Sequence, residues 1–156
     1  MNYKFEFDTK QKVIELINLL ILCFMIGYLI INWNNIGDTV PSHYNFTGHI
    51  DSWGDKGTLI LLPLIAILVN FSMGITLFVP QSLNIPVKVT EQNYAKVYDL
   101  TRYFISFMKT AINVSLFYIT IMSANSKPLG SLFLPMFLIL IFLPIILYYV
   151  TIRKLK

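Results

Sequence analysis

The chain has 156 residues, 56% of them hydrophobic and only 13% charged, with a mean hydropathy of +0.65. A soluble domain is about 25% charged, so a surface wetted on all sides is excluded. The net charge of +4 is spread over several segments, which argues against a nucleic-acid partner and turns the cations into topology signals. Cys23 is the one cysteine; it has no partner within the chain and reads as a small hydrophobe in an apolar run.

The first apolar stretch covers about residues 13–32, after a tail carrying Lys4, Lys10 and Lys12. It exceeds the 7–15 apolar residues of a signal peptide and no small-x-small cleavage site follows it, so a signal anchor is expected. Three further stretches, 58–79, 101–123 and 129–152, also meet the roughly 20 apolar residues that a bilayer-spanning helix requires. Four such runs in so short a chain leave almost nothing to cover them in water. The expected fold is an all-α integral membrane protein: one membrane domain, residues 1–156, built as a four-transmembrane-helix bundle within the lipid bilayer.

Cations orient it. Nine lie in the amino-terminal tail, in the loop 80–100 with Arg102 at its edge, and in the carboxyl tail (Arg153, Lys154, Lys156); two, Lys56 and Lys127, lie in the other loops, leaving Lys109 aside. The positive-inside rule then places both termini and the loop 80–100 in the cytoplasm, and the loop 33–57 outside. The third loop, 124–128, is short enough to make spans three and four a tight antiparallel pair.

The outer loop is the most specific segment. Its two polar-aromatic stretches flank Thr47-Gly48 and read as a short extracytoplasmic β-hairpin. With Thr47-Gly48 as a two-residue turn, Phe46 pairs with His49 and His43 with Ser52. That register points His43 and His49 to opposite faces, which counts against a metal site using His43, His49 and Asp51. Trp53 and Tyr44 are placed to seat the hairpin at the headgroup level. Asn45-Phe46-Thr47 matches a glycosylation acceptor, a common triplet. The remaining alternatives are a structural hairpin and a recognition surface for an extracytoplasmic ligand.

Within the second loop, Pro80 and Pro86 mark a break, and Thr90-Glu91-Gln92-Asn93 reads as a helix start. Tyr94, Val97, Tyr98 and Thr101 follow at i, i+3, i+4, i+7, one face of a cytoplasmic amphipathic segment lying at the interface before span three. Span three carries a polar stripe of Arg102, Ser106, Lys109, Asn113 and Thr120. A lysine at a helix centre costs about 2.5–3.5 kcal/mol. Snorkelling of Lys109 towards the cytoplasmic surface is the favoured relief, and pairing with Glu15 inside the bundle the sharper alternative. Asn18, Asn70 and Asn113 are placed for interhelical hydrogen bonds. Pro63, Pro135 and Pro144 are expected to loosen their helices.

No nucleotide-binding loop, zinc-protease motif or catalytic triad is recognisable, so an intramembrane enzyme is the least favoured class, and no catalytic residue, metal or cofactor is expected. The pattern Pro-x-His-Tyr-Asn-x-x-Gly-x-x-Asp-x-Trp-Gly-x-Lys falls on Pro41, His43, Asn45, Gly48, Asp51, Trp53, Gly54 and Lys56. Placed between two spans, it resembles the outer loop of a family of bacterial membrane proteins, a domain of unknown function whose members include the immunity protein against the sporulation-delaying toxin. Tyr44 stands where that family usually has Phe. Thr90-Glu91-Gln92-Asn93, with Tyr98, Arg102 and Lys109, resembles the family's cytoplasmic entry into the next span, so the likeness runs over roughly residues 15–110. It implies a multi-pass protein of the bacterial plasma membrane that protects against, or binds, an extracytoplasmic peptide toxin through these eight residues, alone or with a membrane-protein partner or a second copy. The alternative class is a small transporter or channel component that uses the polar stripe Arg102, Lys109 and Asn113 of span three as a pathway; with Glu15 these residues are the candidate intramembrane polar cluster.

Overall fold

A computed structural model describes residues 6–155; Lys4 and Lys156, two of the nine orienting cations, lie outside the described residues. The protein is mostly helical, with a small two-stranded antiparallel hairpin. In chain order it runs α1 (Thr9–Asn32), β1 (Thr39–Tyr44), β2 (Ile50–Asp55), α2 (Leu61–Phe78), α3 (Tyr94–Ala124) and α4 (Phe133–Ile152). All four helices are long and apolar enough to cross a membrane.

The bundle is apolar outside and polar inside. Leu, Ile and Phe side chains of α1, α2 and α4 are widely exposed, whereas Gln11, Asn18, Arg102, Ser106, Lys109, Asn113 and Thr120 are at most 3% exposed. In water that distribution would be ruinous. In lipid it is the expected one, since the solvent is as apolar as leucine and polar side chains draw helices together. Helix α3 is the hub on which α1, α2 and α4 each pack, which is why its own composition is the most polar.

Local sequence explains the helix ends. Asp8 caps α1, its carboxylate accepting from the Gln11 amide at 2.8 Å. Helix α2 stops at Val79, because the residue before Pro80 is biased out of the helical region. Pro63 and Pro135 fall in the first turns of α2 and α4, where a missing N–H costs nothing. Only Pro144 is inside a helix, so the expected loosening is confined to that position.

Two expectations about the connections change. The amphipathic stretch from Tyr94 runs without a break into α3, whose 31 residues span about 46 Å, more than the roughly 30 Å hydrocarbon layer. Its Val97 and Tyr98 face is covered by protein, packing with Ile152 of α4 and with Ile85, Val87 and Val89 of the preceding loop. Asn93 pins that arrangement, donating to the Leu155 carbonyl at 2.7 Å and accepting from the Thr90 amide at 2.8 Å. The third loop is also longer than expected: α4 begins at Phe133 rather than Leu129. Gly130 takes a φ of +85°, and the Leu129 amide donates to Gly48 of the hairpin instead of starting a helix.

Candidate functional site

The hairpin lies across one end of the bundle. The strands pair Thr39 with Asp55, Val40 with Gly54, Pro41 with Trp53, His43 with Ser52 and Tyr44 with Ile50, with irregularities on either side of His43. The turn is not the expected Thr47-Gly48 pair. The Asn45 amide donates to the His49 carbonyl at 2.9 Å and the Gly48 amide to the Asn45 carbonyl at 2.9 Å, closing a three-residue loop Phe46-Thr47-Gly48 with Gly48 at φ +77°. That is the type I turn with a left-handed third residue that commonly joins three-residue hairpins. The expected Phe46–His49 pairing is therefore displaced by one residue. His43 still meets Ser52, but only because the irregularity compensates there.

Several motif residues hold the hairpin together. The Asn45 carboxamide oxygen accepts from the Thr47 amide (3.0 Å), the Thr47 hydroxyl (2.7 Å) and the His49 amide (3.0 Å), so this side chain shapes the turn from within. Pro41 is buried. Gly54 lies so close to β1 that a Cβ on it would stand 3.1 Å from that of Ser42. Lys56 reaches Asp38 at 3.5 Å and lies over the Trp33 ring, 5.5 Å from its centroid. Asp55 accepts from the Gly57 amide at 2.7 Å as α2 is approached.

Others fasten the hairpin to the bundle. Val40 is fully buried with Leu29 of α1, Ile36 and Leu59. The Tyr44 hydroxyl lies 3.0 Å from the Ser123 hydroxyl and donates to the Lys127 carbonyl at 3.2 Å. Burial raises the Tyr44 phenol pKa, with the Ser123 contact opposing, so it stays a neutral donor at physiological pH. Tyr44 is thus turned onto the α3–α4 connection at the end of the bundle. Asn125 donates to the Tyr28 hydroxyl at 2.6 Å, tying the same end of α3 to α1.

Four large or polar side chains of the hairpin remain exposed. His43 Nδ1 meets Asp51 Oδ1 at 2.6 Å, with the two side chains 69% and 40% exposed. Phe46 at the tip is 80% exposed and Trp53 on β2 is 54% exposed. An exposed polar pair of this kind contributes only about 0–1 kcal/mol, so its loss leaves the fold standing, while Trp53 keeps the interfacial aromatic character expected at the headgroup level. His49 is engaged separately, its Nδ1 lying 2.8 Å from the Thr47 hydroxyl. Among the described residues no three His, Cys, Asp or Glu side chains gather to hold a metal ion.

The second cluster runs along the interface of α1 and α3, which lie parallel. Arg102 donates to the Gln11 side-chain oxygen at 2.5 Å and to the Glu6 carbonyl at 3.2 Å, and lies over the Phe7 ring. Lys109 forms an ion pair with Glu15; the lysine is 4% and the glutamate 24% exposed at the side chain. The structure thus places Lys109 by the alternative reading, turned inward to a counter-ion instead of snorkelling. Asn113 donates to Asn18 at 3.1 Å and exchanges hydrogen bonds with Asn70 at 2.9 and 3.3 Å, joining α1, α2 and α3 at one level. The partners Gln11, Tyr28, Ser123, Asn125 and Gly130 were not among the sequence candidates. Gln11 was signalled: with Glu15 and Asn18 it forms an i, i+4, i+7 polar face on α1.

The family described as "Domain of unknown function (DUF1648)" matches residues 20–67. That segment holds most of α1, the hairpin and the start of α2, under a third of the chain, and stops short of α3. No curated protein and no solved structure matches.

Proposed function

We propose that this multi-pass membrane protein is an immunity-type binding protein, which protects a bacterial cell by capturing an extracytoplasmic peptide on its hairpin. In this reading it resides in the plasma membrane with both termini in the cytoplasm and the hairpin outside. The observation that carries the reading is the exposed His43–Asp51 pair, on the same hairpin as the exposed Phe46 and Trp53, a hairpin fastened to the bundle at Val40, Tyr44 and Gly48. A pre-organised surface with aromatic anchors and one polar pair binds at low entropic cost. The match to the domain of unknown function includes this hairpin and adds no activity of its own. The experiment is expression in a sensitive bacterium challenged with a panel of membrane-active peptide toxins. Protection against at least one is expected; sensitivity to all of them, with the protein present in the membrane, would count against the reading.

A transport or channel role is the second reading, favoured by the buried Arg102 and the Glu15–Lys109 pair. Against it, Arg102 and Asn113 are engaged with neighbouring side chains, as expected of polar groups that join helices. Ion- or proton-driven uptake into vesicles containing the purified protein would revive it.

A further inference from the structure

The α1–α3 seam contains three side-chain atoms that direct contacts leave over. Gln11 Nε2, Glu15 Oε1 and Ser106 Oγ are buried without a hydrogen-bond partner among the described residues. They belong to one place. Gln11 and Glu15 are a turn apart on α1. Ser106 lies one turn beyond Arg102, the partner of Gln11, and just before Lys109, the partner of Glu15. The Ser106 carbonyl also takes a 3.4 Å contact from Asn18, so the same stretch of α3 faces α1.

We infer that this seam is an internal water-binding site, where water bridges Gln11, Glu15 and Ser106 beside the Glu15–Lys109 ion pair. The three atoms supply a donor, an acceptor and a hydroxyl that does both, which is the complement of water. Internal waters typically make about three hydrogen bonds to otherwise unsatisfied buried polar groups. Charge excludes the other small ligands. A cation would meet Arg102 and Lys109, and an anion would meet the Glu15 carboxylate, so a neutral molecule that both donates and accepts is the one that fits. Such water solvates the ion pair inside the bundle, lowering the desolvation cost that a buried pair otherwise bears. None of these residues touches the hairpin, so the inference stands apart from the proposed function.

The test uses the whole protein in lipid bilayers, labelled with 15N at glutamine. There are three glutamines, Gln11, Gln81 and Gln92; the last two are exposed and serve as hydrated references. Solid-state NMR transfer from water should give a cross-peak at the Gln11 side-chain amide, assigned by its loss in Gln11→Met. Ser106→Ala should weaken that peak and lower the melting temperature, because it removes a bridging bond. A hydroxyl with no partner would behave oppositely, since deleting it relieves an unsatisfied group. Absence of the Gln11 cross-peak while Gln81 and Gln92 give theirs would overturn the inference. A Gln11 peak unchanged by Ser106→Ala, or a melting temperature that rises or stays level, would also overturn it.

Discussion

The backbone carbonyl of Gly48, at the tip of the hairpin, accepts a 2.8 Å hydrogen bond from the amide of Leu129 in the connection between α3 and α4. This contact fastens the hairpin to the far side of the bundle. It needs glycine for two reasons: φ at Gly48 is +77°, and a Cβ there would stand 2.9 Å from the Gly130 nitrogen and carbonyl carbon. Backbone atoms do not yield as a flexible side chain does. Gly48→Val is expected to undock the hairpin and lower stability by about 1–3 kcal/mol, while the helices still insert. Thermal melting, with Trp53 fluorescence reporting on the hairpin, checks this; an unchanged melt would reject the docking.

The Glu15–Lys109 pair predicts coupling. Lys109→Met leaves Glu15 uncompensated and Glu15→Gln does the same to Lys109; breaking a buried pair costs about 3–5 kcal/mol, less here because Glu15 is 24% exposed at the side chain. The double variant should recover part of the loss, since contacting residues couple. Additive effects in a double-mutant cycle would show that the pair contributes no interaction of its own.

Asp8 sets a pH dependence. The Tyr103 hydroxyl first, and the Gln11 amide second, hold its carboxyl below the ordinary 3.8. A carboxylate with a lowered folded-state pKa contributes stability above its unfolded pKa, and that contribution fades as pH falls through the lowered value. Asp8→Ala should therefore melt below the parent at pH 7, and the two melting temperatures should converge below pH 3.8. A gap that persists in acid would assign the effect to something other than the carboxylate.

Much of this architecture was legible in the sequence because membrane physics is blunt. Length and hydropathy marked all four helices, and a glycine between two polar-aromatic stretches marked the hairpin. What escaped was set by tertiary contact. The one-residue error in the hairpin turn came from reading Thr47-Gly48 as a two-residue loop, whereas Asn45 gathers three donors and closes a longer one. The late start of α4 was signalled by Pro128, Gly130 and Ser131, yet its cause is Gly48, 81 positions before Leu129. The inward turn of Lys109 was one of two readings open in the sequence, and the stripe on α3 alone does not decide between them, because the choice depends on where α1 brings Glu15.

Orientation is tested by labelling. In a Cys23→Ser background, a cysteine at Ser52 on β2 should react with an impermeant thiol reagent in intact cells, and one at Ser82 should react only after lysis. Both positions are exposed, so access across the membrane, not burial, decides the result. The reversed pattern would put the hairpin in the cytoplasm and end the case for an external ligand.

Recognition by the outward face is tested most directly by protection, measured at matched membrane level and matched melting temperature, in His43→Ala and Asp51→Ala. Their exposed hydrogen-bonded contact contributes about 0–1 kcal/mol at most, so neither substitution should deplete the protein. Asn45→Ala is the structural control, because it removes the acceptor at the centre of the turn and should lower stability and protection together. The account predicts that both exposed variants stay at parental level and melt normally, yet lose protection or peptide binding. Full protection by well-expressed His43→Ala and Asp51→Ala would contradict it and assign the activity to the spans.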